Sequence, residues 1–275
     1  MCYYRPMQEK FRHPERISHK AEVITDPESQ TVQDFHEFLC KHFKQEEVEP
    51  VDVFRRELAS NSNSDANARY LCTALRGEKN NLISAAYGSV QGGVLAIRFT
   101  LTEISDRGTG VSQKADALLV DEAEKFCTAK GLDLRAYVGE AVDRSESYWN
   151  NMEIESGNGM RRLYATGSEI HYEIPPLAWN SDGTPAQDGI DEHLQVAVKG
   201  CSERVPVEVL QQILKDWWSQ WYIRPRDQFE SDAAWYDHQR VVWDILEIKI
   251  LAPIRGAGEL VLMSKKVREA SRQVS

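Results

Sequence analysis

An apolar run that passes directly into a glycine-rich turn constrains the fold of this chain more than any other feature. Residues 95–104 have the length and apolar content of a buried strand, and the turn that follows, residues 105–110, reads Ser-Asp-Arg-Gly-Thr-Gly. Apolar residues then recur at helical spacing as far as Gly131. A strand that turns into a helix in this way presents unpaired backbone N–H groups and the positive end of the helix dipole. The sequence therefore predicts an anion site between residues 105 and 112.

The common nucleotide-binding motifs do not fit this turn. It lacks the Lys-Ser/Thr ending of a triphosphate-binding loop, and its two glycines are closer together than the dinucleotide fingerprint requires. A diphosphate of another kind is therefore the predicted ligand.

The charge and the cysteine content narrow the class of protein. The net charge is −10 and the pI is near 5.3, which would repel a phosphate backbone, so nucleic acid is not an expected partner. The five cysteines are odd in number and show no paired spacing, which favours a reducing compartment. No apolar run reaches the roughly 18 residues of a membrane span, and the seven histidines form no metal-ligand spacing. We expect a cytoplasmic protein without a metal site or a membrane partner.

The apolar periodicity predicts an α/β fold with a central mixed, mostly antiparallel sheet flanked by helices. Gly92-Gly93 is typical of a tight hairpin, and the strand, helix, strand unit over residues 94–138 favours a parallel pair. Thr31 and Asp34 have the spacing of a capping box that opens the first helix. The predicted order is a strand within 15–25, helices 31–44 and 50–58, strands 68–75, 82–90 and 94–103, a helix 111–131, a strand 132–138, a short helix 143–152, and strands 161–164 and 169–174.

A polar loop over residues 180–189 separates this part of the chain from a tryptophan-rich tail. It predicts a first domain, residues 1–179, which includes an N-terminal arm, and a mainly helical C-terminal extension, residues 190–275, that packs on it. The extension has one predicted strand, 193–199, and helices 205–223 and 231–251, which hold five of the seven tryptophans. These tryptophans form either ordinary core or the wall of a binding cleft or of a homodimer interface.

The glycine-rich turn and its flanks resemble motif A of the GNAT-type N-acyltransferases, whose loop holds the diphosphate of acetyl-CoA. Gly108 and Gly110 match its two glycines and Arg107 matches the basic residue that often precedes them, whereas Ser105 replaces the usual Gln or Arg. The predicted order of elements over residues 15–174 is also that of the superfamily. The resemblance implies an N-acetyltransferase that uses acetyl-CoA. The CoA-binding residues that it implies are Thr102, Ile104, Arg107, Gly108, Thr109, Gly110, Val111 and Ser112.

The same resemblance implies residues for acyl transfer to a primary amine of a small molecule or peptide. Such a transfer needs a base for the ammonium proton and an acid for the leaving thiolate. Glu103, just before the turn, is the candidate base, and Glu140 is the second choice. Tyr148 is the candidate acid, although Trp149 falls on the position of the family's tyrosine. The alternatives are an exposed glutamate, a packing tyrosine and, for the whole protein, a noncatalytic acyl-CoA-binding or scaffold function.

Overall fold

A computed structural model describes most of the chain. The described residues are 19–43, 48–63, 67–141, 161–165, 168–170, 172–176, 178–186, 188–201, 204–257 and 260–263. Tyr148 and the predicted short helix 143–152 lie outside them. Among the described residues, no helix has the length and apolar content needed to cross a membrane.

Ten strands form one sheet within this part of the chain. They are β1 (Lys20–Val23), β2 (Ala68–Arg76), β3 (Leu82–Gln91), β4 (Val94–Thr102), β5 (Ala136–Ala141), β6 (Arg161–Ala165), β7 (Ser168–Glu169), β8 (Tyr172–Ile174), β9 (Ile190–Val198) and β10 (Leu260–Met263). The main path of the sheet runs β1-β2-β3-β4-β5-β9-β6-β10, while β7 pairs with β6 and β8 pairs with β9.

Helices cover both faces of this sheet. They are α1 (Gln30–His42), α2 (Val51–Ser60), α3 (Val111–Ala129), α4 (Val207–Trp221), α5 (Asp232–Asp244) and α6 (Ala252–Gly256), with a π-helical stretch, Ile245–Leu251, between the last two. The apolar periodicity predicts α1 to α5 to within a few residues. The π-helical stretch continues the helix that was predicted for residues 231–251.

The centre of the sheet confirms the predicted fold class. β2, β3 and β4 are antiparallel neighbours, and Gly92 and Gly93 turn the chain between β3 and β4 with φ of 55° and 78°. Glycine is the residue that adopts such positive φ without strain. β4 and β5 pair in parallel, with α3 as the crossover between them. The fold is therefore α/β, with a mixed and mostly antiparallel sheet.

The C-terminal part of the chain contributes more strands than its pattern predicts. β9 pairs with both β5 and β6, and β10 pairs with β6. The region predicted as a mainly helical extension, residues 190–275, thus supplies two strands of the sheet as well as α4 to α6. β10 has only four residues, which is too short for a periodic signal. The division of the chain at residues 180–189 stays a prediction.

Several element boundaries differ from those predicted: the strand predicted at 169–174 is the two strands β7 and β8, and β9 begins at Ile190. β4 ends at Thr102, so that Glu103 follows the strand, and the strand predicted at 132–138 is Ala136–Ala141. The difference arises because residues 132–135 are needed to carry the chain from the end of α3 to the sheet, where the Arg135 N–H donates to Gly93 O at 2.7 Å. Boundaries of this kind depend on the distance to be spanned, which the local pattern does not contain.

The predicted capping box has another role in the structure. α1 begins at Gln30 with Ser29 as its N-cap residue. Thr31 and Asp34 instead accept hydrogen bonds from the Arg76 guanidinium of β2, at 3.1 and 2.9 Å. These side chains therefore tie α1 to the sheet rather than capping the helix.

The two faces of the sheet carry different groups of helices. α3 covers one face, where Leu95 and Ile97 of β4 pack in the same cluster as Leu119. α1 and α2 cover the other face over β2 to β4, and α4 to α6 cover that same face over β5 and β9. α4 reaches β3 at the boundary between these two groups, where Ser89 bonds to Gln220.

The tryptophans of α4 divide into core and boundary positions. Trp217 and Trp218 are fully buried, and their rings lie 5.6 and 6.1 Å from the ring of Tyr172. Trp221 is only partly buried, and its Nε1 donates to Ser89 Oγ at 3.0 Å. The core role is thus confirmed for the first two tryptophans, while the third lies where α4 meets β3.

Candidate active site

β4 and β5 separate partway along their length. Their parallel ladder ends at Ile97 and Gly139, whereas β4 continues to Thr102 and β5 to Ala141. Within the described residues, the last five positions of β4 have no strand beside them on this side, so the sheet does not use the backbone polar groups that point there. We call this gap, between residues 98–102 and 140–141, the β4–β5 opening. It faces the C-terminal ends of both strands, the usual place for ligands in open α/β sheets.

The glycine-rich turn lies at this same end of β4. One 3₁₀ turn, Ile104–Asp106, leads into it, and Gly108 and Gly110 adopt positive φ of 79° and 81°. No heavy atom of the described residues lies within 4 Å of a Cβ placed on Gly108, so backbone conformation rather than space favours glycine there. α3 then begins at Val111, and its N-cap, Gly110, has no side chain to satisfy the first N–H groups. These groups and the open space beside Gly108 fit the predicted anion site.

Arg107 and Asp106 set the charge of the turn. The Arg107 side chain is exposed, and its Nε lies 3.4 Å from the carbonyl oxygen of Thr102. The Asp106 carboxylate accepts a hydrogen bond from Ser105 Oγ at 2.7 Å, and its carbonyl accepts one from the Thr109 hydroxyl at 2.6 Å. The guanidinium is thus held at the end of β4, in the same turn as the Asp106 carboxylate.

The other predicted CoA-binding residues occupy two kinds of environment. Thr102 and Val111 are buried, and the Thr102 hydroxyl lies 2.9 Å from that of Ser84. Ile104 is 69% exposed, which leaves an apolar side chain in solvent beside the opening, and Ser112 is partly exposed. All eight residues therefore lie at one end of β4, and their part in binding stays a prediction.

Glu103 follows β4 and faces the end of α1. Its carboxylate lies 2.5 Å from Lys41 Nζ and 3.5 Å from His42 Nε2. The hydrogen bond from Lys41 is the main cause of the lowered pKa of Glu103, and desolvation opposes it. A carboxylate with a lowered pKa is a weak base at neutral pH. Glu103 is therefore an ionised group at the rim of the opening that already binds a primary ammonium.

The structure describes little of the remaining predicted catalytic residues. Tyr148 and Trp149 lie outside the described residues. Glu140 is in β5, one position beyond the last pair with β4, and only its backbone is described. Their roles stay predictions.

A second carboxylate, which sequence reasoning missed, lies on the face that carries α1 and α2. Glu57 of α2 accepts a hydrogen bond from Tyr87 Oη of β3 at 2.5 Å, and its side chain is 18% exposed. Burial raises the pKa of Glu57 to about 7, against the lowering effects of the Tyr87 hydrogen bond and of the Arg224 and Arg56 charges. A group with such a pKa can take up and release a proton near neutral pH.

A β-bulge in β4 directs Arg98 toward Glu57. The register between β3 and β4 shifts at Gly88, so that Arg98 is an extra residue on its strand. As a result, Arg98 and Phe99 both face the α2 side of the sheet. Arg98 Nη1 lies 3.3 Å from the Glu57 carboxylate, and the guanidinium also pairs with Glu49.

These side chains line a small cavity where α2, β3, β4 and α4 meet, which we call the Glu57 cavity. Its volume is about 10 Å³, room for at most one water molecule. Gln220 and Trp221 of α4 complete its wall, and both bond to Ser89 Oγ, through Oε1 at 2.8 Å and Nε1 at 3.0 Å. Gln220 Nε2 is buried and has no hydrogen-bond partner among the described residues.

A third carboxyl group belongs to α3, on the opposite face of the sheet. Asp116 is 2% exposed and accepts a hydrogen bond from Thr100 Oγ1 at 2.9 Å. Its Oδ2 has no partner in the described part of the chain, and burial raises its pKa to about 7. Asp116 is therefore a natural comparison for Glu57, since both are largely buried acids with raised pKa.

In the sequence, each of these two acids lies close to a buried apolar residue of its own helix. Glu57 lies three residues after the buried Phe54, and Asp116 lies next to the buried Ala115. Acidic residues are seldom buried, so an acid on an apolar stripe marks a position to examine. The spacing does not reveal the partners on β3 and β4, which come from distant parts of the chain.

Comparison with known proteins gives distant structural matches. No protein-family model matches the sequence, and no curated protein is significantly similar to it. The structure is similar to a GNAT-family acetyltransferase from Staphylococcus aureus, with 13% identity over 65% of this chain and 99% of the other, and a TM-score of 0.39. It is similar to the ribosomal-protein-S18-alanine N-acetyltransferase from Escherichia coli, with 11% identity over 67% and 96%, and a TM-score of 0.41. A chain of the NatC complex bound to Gag peptide and CoA has 10% identity over 66% and 99%, and a TM-score of 0.42.

The order and pairing of the chain's own elements identify its fold. A strand, two helices, three antiparallel strands, a glycine-rich turn, a helix and a parallel strand follow one another from β1 to β5. The sheet opens between the two parallel strands, next to the turn. By this order and pairing, the described part of the chain has the fold of the GNAT-type N-acyltransferases.

Proposed function

We propose that this protein transfers an acyl group, in the first instance acetyl, from acetyl-CoA to a primary amine by direct attack in a ternary complex. The main support is that the glycine-rich turn lies beside the β4–β5 opening. The turn suits the diphosphate of CoA, and residues 98–102, which have no neighbouring strand on this side within the described residues, suit the amide groups of its pantetheine arm. A single CoA molecule that occupies both places brings its thioester into the opening.

Glu103 is proposed to receive the acceptor, a small molecule or peptide with a primary amine, in its ammonium form. Lys41 already places a primary ammonium 2.5 Å from this carboxylate, and its own side chain is 60% exposed and free to leave. The lowered pKa of Glu103 keeps it ionised but disfavours uptake of a proton. This role therefore differs from that of the general base predicted from the sequence.

Calorimetry of CoA binding tests the first part of the proposal. Arg107→Ala should weaken CoA binding by roughly 1–3 kcal/mol, the usual range for a charge-assisted contact. Arg240→Ala is the matched control, because Arg240 is an exposed arginine on α5 with one ion pair, to Asp237. CoA binding that is undetectable in the wild type, or equal in all three proteins, would remove the basis of the proposal.

Release of free thiol from acetyl-CoA tests the transfer itself, with n-butylamine, spermidine, free lysine and a peptide with a free N-terminus as acceptors. Glu103→Gln should mainly raise the KM for the amine if Glu103 holds the ammonium, whereas loss of a general base would lower kcat by about 10²–10⁴. Tyr148 stays the proposed acid for the thiolate, and Tyr148→Phe should then shift the alkaline limb of the pH profile. CoA binding without thiol release would favour the noncatalytic alternative, which Trp149 at the tyrosine position suggests.

A further inference from the structure

The Glu57 cavity and the β4–β5 opening have one residue in common. Arg98 is the first position of β4 beyond Ile97, where pairing with β5 ends. The Arg98 guanidinium also lines the cavity and lies 3.3 Å from the Glu57 carboxylate. A group that enters the opening therefore reaches the rim of the cavity within one residue of β4.

The wall of the cavity has a carboxyl group and an unused donor. Gln220 Nε2 is buried without a hydrogen-bond partner among the described residues, and Glu57 lines the same cavity. Buried polar groups are usually satisfied, often by an internal water. One water that accepts from Gln220 Nε2 would satisfy this donor and can also donate to Glu57, and about 10 Å³ admits one such molecule. A proton that reaches this water has the Glu57 carboxylate as its acceptor.

Several elements place charged or titratable groups around Glu57. They are Glu49 before α2, Arg56 in α2, Tyr70 in β2, Tyr87 in β3, Arg98 in β4 and Arg224 after α4. Burial outweighs the cationic groups and raises the pKa of Glu57 to about 7. The 18% exposure of its side chain gives the proton a way back to solvent.

We propose that Glu57 takes up the proton that the acceptor amine loses once its nitrogen lies beside Arg98, where the pairing of β4 with β5 ends. This inference rests on the proposed acyl transfer. First, an N–H bond of the ammonium breaks, and the proton passes to the Glu57 carboxylate, which leaves a neutral amine and a neutral Glu57. The amine then forms the C–N bond, the C–S bond breaks, and a second proton from nitrogen goes to the thiolate. The products are the amide, CoA with a free thiol, and one proton that Glu57 returns to solvent.

The pH dependence of thiol release tests this role, with acetyl-CoA and whichever of the four amines named above reacts fastest. In the wild type, kcat should rise with pH through about 7 as Glu57 loses its proton. Glu57→Gln should lower kcat by about 10² or more and remove this acid limb. CoA affinity should stay within about twofold of the wild-type value, because Glu57 is not at the turn.

Asp116→Asn is the matched control for loss of a buried carboxyl group. The pKa of Asp116 is also raised to about 7, but the residue belongs to α3, on the opposite face of the sheet. Asp116→Asn should keep both kcat and the acid limb. If Asp116→Asn and Glu57→Gln change the profile equally, the effect is one of stability, and the role of Glu57 is wrong.

Tyr87→Phe provides a second test that keeps the Glu57 carboxyl group, in case Glu57→Gln folds poorly. The hydrogen bond from Tyr87 lowers the pKa of Glu57, so its loss should move the acid limb to higher pH. An unmoved limb in an active, folded Tyr87→Phe variant would overturn the role of Glu57 and leave the acyl transfer standing. A wild type that binds CoA but releases no thiol with any of the four amines would overturn both.

Discussion

Glu57 and Glu103 are the same residue type in two environments that move the carboxyl pKa in opposite directions. Glu103 lies at the rim, where the Lys41 ammonium lowers its pKa. Glu57 lies between α2 and β3, where burial raises its pKa to about 7. Both carboxylates have cations nearby, so the presence of a positive charge does not decide the sign of the shift. The two side chains are about equally exposed, 18% for Glu57 and 19% for Glu103, so the difference lies in which effect is larger. Desolvation exceeds the gain from the partners at Glu57, whereas the hydrogen bond from Lys41 exceeds desolvation at Glu103.

This difference assigns different chemical tasks to the two groups. A carboxylate that stays ionised can hold a cation, and one that titrates near neutral pH can accept and return a proton. Two acids whose environments separate their pKa values are a common arrangement for acid and base roles. Substitutions that reduce or increase the separation between the pKa values of Glu57 and Glu103 test this difference.

The largest effect is expected from Gly88→Ala, which disturbs the bulge that brings Arg98 to Glu57. An added Cβ would lie 2.2 Å from the carbonyl oxygen of Ala96, a backbone atom of the neighbouring strand that cannot move aside cheaply. Overpacking of this kind costs roughly 1–3 kcal/mol or more of unfolding free energy. Urea unfolding measures the loss of unfolding free energy. The pKa of Glu57 should also change, because the bulge that brings Arg98 to it is disturbed.

Gly256→Ala is the control for this substitution. Within the described residues, no heavy atom lies within 4 Å of a Cβ on Gly256, which ends α6. The change should be neutral or slightly stabilising, because alanine restricts the unfolded chain more than glycine does. A Gly88→Ala variant as stable as Gly256→Ala would show that the bulge does not depend on this close approach.

The two glutamates should affect stability with opposite dependence on pH. Glu57 has a folded pKa of about 7, above its ordinary value of 4.5, so its contribution to stability is complete below about pH 4.5 and is lost as pH rises through 7. The loss is about 3 kcal/mol for a shift of this size. Glu57→Gln should therefore gain stability relative to the wild type between pH 5 and pH 8, as measured by urea unfolding at both values.

Glu103→Gln should show the reverse dependence of stability on pH. The pKa of Glu103 is lowered, so its contribution is present above its ordinary pKa and is lost as pH falls through the folded value. The variant should be slightly less stable than the wild type at pH 7 and equal to it in acid. If the stability of both variants relative to the wild type changed with pH in the same direction, the two glutamates would not be in opposite environments.

The smallest effect on stability is expected from Lys41→Ala. Lys41 is largely exposed, and exposed ion pairs contribute about 0.2–1 kcal/mol. Because the Lys41 hydrogen bond is the main cause, the pKa of Glu103 should rise toward its ordinary value, which carbon-13 NMR of the carboxyl group can follow. The pKa of Glu57 should not respond. Lys125→Ala removes a similar exposed ion pair, with Glu122, and should leave the pKa values of Glu57 and Glu103 unchanged.

Much of the fold could be predicted from the sequence, because local patterns report local structure. The apolar stripe of Val111, Ala115 and Leu119 predicts α3, and Gly92-Gly93 predicts the β3–β4 hairpin. The glycine-rich turn predicts an anion site, and its residues do lie together at the end of β4 beside the opening. Each of these features depends on residues that are neighbours in the chain.

Only the tertiary structure decided the contacts between distant parts of the chain. β9 enters the sheet between β5 and β6, and no local pattern specifies which strands a segment will join. The Glu57 cavity combines α2 with β3 and β4 and with α4, where Ser89 bonds to Gln220 at a separation of 131 residues. Sequence alone identifies Glu103 as an acid before a turn, whereas sequence reasoning missed Glu57. Their opposite pKa shifts arise from desolvation and from partners that the folded chain brings together, so only the tertiary structure distinguishes them.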